Sequence, residues 1–200
     1  MAAPGRYIVM LGYAGAKTAL TLASLHKEEV QNRFPKHFLK QEEELNRVVS
    51  RLTVLMGETG KQSGRPPEAQ ECVVVLKENE VFPALWELAE GLDAGLDAEL
   101  QKIPVLQFII EISEVFDANP YVNITALENK KCFGQMPACG ACVAPAVTTY
   151  SLLIATENPE AVLAFAKANE LPAAVIGRLN GKNDRIVRNG EIIRYLTPEG

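Results

Sequence analysis

Basic charge, histidine and long apolar runs are scarce in this sequence, and each scarcity excludes a class of function. The 200 residues hold 20 Lys and Arg against 25 Asp and Glu, a formal net charge of −5. Proteins that work by neutralising phosphates carry the opposite surplus, so nucleic acid is not expected as a partner. The two histidines, His26 and His37, flank an expected helix break and form no H-x₃-H pattern, so they read as surface imidazoles. No run approaches the roughly 18 to 20 apolar residues of a membrane helix, and the longest uncharged stretch, from Cys132 up to Glu157, is broken by glycine and proline. No apolar leader with a small-residue cleavage site opens the chain, so no membrane association and a cytoplasmic location are expected. Walker, G-x-S-x-G and dinucleotide motifs are also missing, and the turn Gly12-Tyr13-Ala14-Gly15 is too short to count as one.

What is there is ordinary globular text. Hydrophobic residues make up 48% and charged residues 22%, which is enough for one good-sized core and argues for a single domain over residues 1–200. Arg6 to Leu11 reads as a buried strand ending at Gly12, and Ala16 to about Val30 as a helix. Pro35 suits the first position of a second helix reaching about Leu52, with Phe38, Leu45, Val48, Val49 and Leu52 on its apolar face. Residues Gly57 to Gln70, rich in glycine, proline and polar side chains, read as a flexible loop. Beyond it come a strand over Glu71–Leu76, a helix marked by Phe82, Leu85, Trp86 and Ala89, a strand over Ala94–Leu100 and a helix over Gln107–Phe116. Trp86 reads as core filler. Strand Ser151–Thr156, a helix from Pro159 capped by Asn158, and strand Ala173–Leu179 follow, and Asn189-Gly190 signals a type I′ hairpin. In that hairpin region Arg178, Lys182, Arg185, Arg188 and Arg194 outnumber Asp184 and Glu191, a pattern read first as a solvated face and second as a site for an anionic partner. Mixed elements with a hairpin give an α+β class, with helices layered on a mainly antiparallel or mixed sheet.

Several short motifs in this order carry a family resemblance: Tyr7-Ile8-Val9-Met10-Leu11-Gly12-Tyr13-Ala14-Gly15, Ala84-Leu85-Trp86-Glu87-Leu88-Ala89-Glu90, Lys102-Ile103-Pro104-Val105, Asn119-Pro120, Ser151-Leu152-Leu153-Ile154-Ala155 and Ala174-Val175-Ile176-Gly177. With Asn189-Gly190-Glu191 they span nearly the whole chain, which resembles the C-terminal domain of the aminoimidazole ribonucleotide (AIR) synthase-related superfamily, nearest its hydrogenase maturation factor (carbamoyl dehydratase) branch. The resemblance implies an α/β sandwich with partial ferredoxin-like topology. It also implies a two-domain, ATP-using enzyme whose N-terminal domain supplies most nucleotide and metal ligands, and no text matching that domain is present. Where the hydrogenase branch has an acidic residue, a Thr and a Gly-Gly pair before the Ala-Leu-Trp-Glu helix, this chain reads Val75-Leu76-Lys77-Glu78-Asn79-Glu80. Asn79 and Glu80 thus replace the glycines, and a carboxylate there repels phosphate. A second expected glycine turn reads Thr148-Thr149-Tyr150, whose bulky Tyr150 hinders close backbone approach. The family's cysteine-bearing C-terminal tail is not matched at Thr197-Pro198-Glu199-Gly200. ATP is therefore not expected as a ligand, and the expected role is a non-catalytic binding or assembly module working through a protein partner or as a homodimer. The alternative is one half of a split ATP-dependent enzyme completed by a separate domain.

One segment, about residues 129–150, departs from the family as an insertion holding Cys132, Cys139 and Cys142. The Cys139-Gly140-Ala141-Cys142 pair places two thiolates within reach of one ion, Cys132 can serve as a third ligand, and Cys72 is the one cysteine left for a fourth position. Such a soft set suits zinc or an iron–sulfur cluster. A redox dithiol and an apolar lid of buried thiols are the other two readings.

Overall fold

The computed structural model describes residues 6–61, 72–76, 80–122 and 148–199. Its elements in chain order are β1 (Tyr7–Gly12), α1 (Ala16–Leu25), α2 (Lys27–Arg33), α3 (Lys36–Lys61), β2 (Cys72–Leu76), α4 (Val81–Gly91) and β3 (Gly95–Glu99). A 3₁₀ turn over Leu100–Lys102, α5 (Gln107–Val115), β4 (Ser151–Thr156), α6 (Pro159–Ala168), β5 (Ala173–Asn180), β6 (Arg185–Asn189) and β7 (Ile192–Tyr195) complete it. The strands form one sheet in the order β2-β4-β1-β5-β3-β6-β7, antiparallel throughout except where β3 runs parallel to β6. The expected α+β class with a mixed sheet is what the chain adopts.

The central strands explain why β1 and β4 read as unbroken apolar runs. Ile8, Val9, Met10 and Leu11 are all 0% exposed, because helices cover both faces of this part of the sheet. Ile8, Met10, Leu153, Ala155 and Ile176 pack with Leu85, Leu88 and Ala89 of α4 on one side. Val9, Leu11, Leu152 and Ile154 pack with Val48 and Leu52 of α3 and with Val162 and Ala166 of α6 on the other. A third cluster joins Ala19 and Leu22 of α1, Val30, Phe34, Leu45 and Val49, with Phe108, Ile109 and Ile112 of α5.

Three local expectations are corrected. The helix expected over Ala16–Val30 breaks at His26, which closes α1 and opens α2 with its ring stacked on Phe116 at 4.2 Å. The break lets Val30 and Phe34 turn into the third cluster, where Phe34 meets Phe108 edge-on at 5.8 Å, and that burial outweighs the continued ladder. Helix α3 runs 26 residues to Lys61, so the first five positions of the expected flexible loop 57–70 are helical; each added residue gains a backbone hydrogen bond, and proline first appears at Pro66. Residues 62–70 lie outside the described residues. The hairpin turn is also displaced: Asn189 pairs with Ile192, so the two loop residues are Gly190 and Glu191, and of these Gly190 has positive φ (62°). Glycine at the first loop position with one positive φ is the II′ pattern, not the expected I′. Both histidines are exposed, as expected, and Trp86 is half-buried with the Arg185 guanidinium 4.4 Å above its ring.

Candidate functional site

The sheet delivers a buried acid-and-donor cluster to the C-terminal end of β1. There the chain turns through Gly12 (φ 92°) and Gly15 (φ 74°) into α1. Gly15 is required twice: its φ is left-handed, and a Cβ would stand 2.6 Å from Ile109 Cγ2 and 2.7 Å from Pro120 Cβ. A helix start leaves backbone N–H groups without intrahelical partners and carries partial positive charge, so this turn is built for an anion.

The anion is supplied by the protein itself. Glu80 stands at the N-cap of α4 but makes no side-chain bond to its own helix. Its carboxylate crosses to α1, where Oε2 accepts from the Gly15 N–H at 2.9 Å and Oε1 accepts from the Thr18 N–H at 3.1 Å and the Thr18 hydroxyl at 2.9 Å. Glu80 is 5% exposed and Thr18 2%. Burial raises the Glu80 pKa above the ordinary carboxylate value, against the lowering effect of the Thr18 and Gly15 bonds and of Lys17. The surrounding walls come from the start of α4, the Asn119-Pro120 segment and the residues leading into β4. Tyr121 stacks on Phe82 at 5.3 Å and its carbonyl accepts from the Phe82 N–H, Pro120 lies against Gly15, and the Lys17 ammonium sits 5.9 Å from the centre of the half-buried Tyr150 ring.

The sequence-level expectation for Glu80 is therefore sharpened in its mechanism. Glu80 does not face outward to repel a ligand; it fills the donors that a ligand's phosphate would take. The signal available beforehand was Gly12-x-x-Gly15-x-x-Thr18 directly after a buried strand, which as a motif was too short to stand alone.

Of the candidate cysteines, Cys72 alone lies among the described residues. Cys72 opens β2, an outer strand, opposite Ala155 of β4. Cys132, Cys139 and Cys142 lie outside the described residues, as does the insertion over 129–147. Among the described residues no three His, Cys, Asp or Glu side chains are grouped to hold a metal ion, and no helix is long and apolar enough to cross a membrane. A separate groove of roughly 300 Å³ lies between α1, α2 and α3, lined in part by Lys27, Gln31, Glu42 and Asn46. Burial raises the Glu42 pKa there, partly offset by Lys27. Its mixed lining is shared by charged and apolar groups without a convergent set of donors.

No family model and no curated sequence matches the chain. Solved structures do. The E. coli hydrogenase maturation protein HypE superposes with a TM-score of 0.58 at 16% identity, over 98% of this chain and 50% of that one. HypE in complex with ATP gives a TM-score of 0.56 at 16% identity, over 98% and 51%. HypE in its complex with HypF gives 0.56 at 14%, over 98% and 53%. The chain thus spans about half the length of the proteins it resembles. HypE belongs to the AIR synthase-related superfamily, so the fold expected from the short motifs is the fold observed.

Proposed function

We propose that this chain is a single-domain, non-catalytic binding or assembly module of AIR synthase-related fold, and that it takes no ATP. The observation that supports this reading is the Glu80 carboxylate held by Gly15 and Thr18. A helix N-terminus that already holds a buried carboxylate has its anion-binding donors satisfied, and opening it means exposing three donors and re-solvating the acid. The shared fold by itself does not carry an activity, because function resides in the site and the site here differs. A module of this kind works through a protein partner or a second copy. The solved HypE–HypF complex lends that reading a precedent in a protein of the same fold.

Isothermal titration of the purified chain with ATP and magnesium tests the proposal. No heat of binding is expected at tens of micromolar protein; saturable micromolar binding overturns it.

The chain's likeness to half of a protein solved with ATP favours one competing reading, a split enzyme whose other half is a separate ATP-binding protein. Pull-down from native extract separates the two. Recovery of an ATP-binding partner of the same superfamily, with turnover in the reconstituted pair, supports the split enzyme. Its failure leaves the binding module.

The cysteines add a further element to the proposal: Cys132, Cys139 and Cys142, with Cys72 as fourth candidate, hold zinc or an iron–sulfur cluster. Anaerobically purified protein is expected to carry about one zinc, or iron with sulfide, per chain, lost on replacing Cys139 and Cys142 by Ser. Free reaction of all four thiols in metal-free protein overturns it.

A further inference from the structure

The far end of the sheet carries a surface that the cradle at α1 does not use. Among the described residues β7 is the last strand, paired with β6 on one side and with nothing on the other. The pairing Ile186↔Tyr195, Val187↔Arg194, Arg188↔Ile193, Asn189↔Ile192 extends by one step to Leu196, whose N–H donates to the Arg185 carbonyl at 2.9 Å. In an antiparallel ladder bonded and non-bonded pairs alternate. Leu196, Arg194 and Ile192 therefore bond inward to β6, and Ile193 and Tyr195 turn their N–H and C=O groups outward to the open edge. The same short strand carries Ile192 at 70%, Ile193 at 44% and Tyr195 at 65% exposure. Natural edges are usually blunted by charge, proline or a bulge; this one is regular over its four residues, with Arg194 as its one charge.

Among the described residues no helix packs on the face beside the edge, where Ile186 is buried among partly exposed neighbours. Paired residues share a face, so Tyr7, Asp97, Arg178, Arg188, Ile193 and Tyr195 line one side of the sheet, beyond the part that α3 and α6 cover. Arg188 grips Asp97 through Nε at 2.9 and 3.0 Å, and Arg178 stacks on the Tyr7 ring at 4.3 Å. Tyrosine and arginine held in place are the residue types that anchor protein interfaces.

Charge decides among occupants. Between positions 178 and 195 there are five basic and two acidic side chains; with Asp97, Glu99 and Lys102 of the neighbouring β3 and 3₁₀ turn the patch holds six basic and four acidic, a local +2 in a chain of net −5. A second copy joined edge to edge would bring one basic patch against another, which disfavours self-pairing. We infer that β7 is a docking edge for an acidic extended segment of a protein partner, which adds as an eighth strand by bonding to the backbone of Ile193 and Tyr195 and setting alternate apolar residues on their side chains. This deepens the reading of the chain as a binding module, and its test involves no ATP, so the two can fail separately.

The probes are blocked, labelled peptides of alternating Glu and Val, the same length of Lys and Val, and a Glu-Val peptide N-methylated at alternate positions. Anisotropy should show saturable binding of the Glu-Val peptide, weakened by salt, with the Lys-Val and N-methylated peptides about tenfold weaker or worse. Amide hydrogen exchange at Ile193 and Tyr195 should slow in the complex. Ile193→Pro removes an outward N–H without removing a bond to β6, and Ile193→Glu adds like charge; both should lose binding with an unchanged circular dichroism spectrum. If Ile193→Pro does not fold, Ile193→Glu and the exchange data decide. Equal binding of Glu-Val and Lys-Val peptides, no binding of either, preference for a poly-dT oligonucleotide, or concentration-dependent dimerisation abolished by Ile193→Glu would each overturn the inference.

Discussion

Thr18 and Glu80, 62 residues apart, are joined twice, by the Thr18 N–H at 3.1 Å and by its hydroxyl at 2.9 Å, both to Glu80 Oε1. Two helix starts are thereby tied to each other: that of α1, which supplies the donors, and that of α4, which supplies the acid. The contact links the first glycine turn to the text that precedes the Ala84-Leu85-Trp86-Glu87 helix. The second of these is one of the two places where the resemblance implied phosphate chemistry, the other being the turn at Thr148-Thr149-Tyr150.

Removing the acid should therefore unsettle the fold more than a surface change does. Glu80→Ala leaves the Gly15 and Thr18 N–H groups buried without their acceptor, at a cost of about 1–3 kcal/mol. Glu80→Gln keeps one acceptor oxygen but turns an amide toward one of the donors, and should fall between wild type and Glu80→Ala. Urea denaturation with unchanged slope checks the order; a neutral Glu80→Ala variant contradicts the role given to the carboxylate.

The same group sets a pH dependence. Burial holds the folded-state pKa above the ordinary value of 4.5, so the folded protein binds this proton more tightly than the unfolded chain. Stability owed to Glu80 is then fully present below the unfolded value and is lost as pH rises through the folded value. The urea midpoint of wild type minus that of Glu80→Gln should grow as pH is lowered from 7 toward 4.5. A difference that shrinks over that range would reverse the sign.

Gly15→Ala tests the turn rather than the acid. The left-handed φ of 74° costs a non-glycine residue about 1–2 kcal/mol, and the added Cβ must also displace Ile109 and Pro120. Thermal unfolding should show a loss larger than the conformational term alone. A loss of less than about 1 kcal/mol would mean that the turn relaxes without strain.

Asn158→Ala tests a cap that is local. Asn158 Oδ1 accepts from the Ala161 N–H at 3.3 Å at the start of α6, with Pro159 in the first helical position. A loss of about 0.5–2 kcal/mol is expected. Glycine at 158 should recover most of it, to within a few tenths of a kcal/mol.

The elements read most accurately from the residues are those whose signal is local. Ser151–Thr156, Asn158-Pro159 and Gln107 as a helix start are placed by apolar runs, caps and breakers within a few positions of themselves. The errors fall where distant parts of the chain decide. His26 breaks a helix because Val30 and Phe34 find α5, and the hairpin turn moves by one residue because Asn189 is held in register with Ile192. Nothing in the neighbourhood of Glu80 announces that its carboxylate meets a partner 62 residues away.

Composition, periodicity and capping by themselves determined the α+β class, the apolar face of α3 and the buried strands at the centre of the sheet, while the replacement of glycine at positions 79 and 80 is what the family resemblance implies. These follow from interactions within a few residues, which a linear text contains. Only the tertiary structure decided that the Gly12–Gly15 turn is an anion site, that Glu80 fills it, and that Ile193 and Tyr195 turn their backbone outward at an open edge. Those facts depend on which strands neighbour one another and in what register. Burial sets that pairing jointly for the whole chain, and no segment carries it alone.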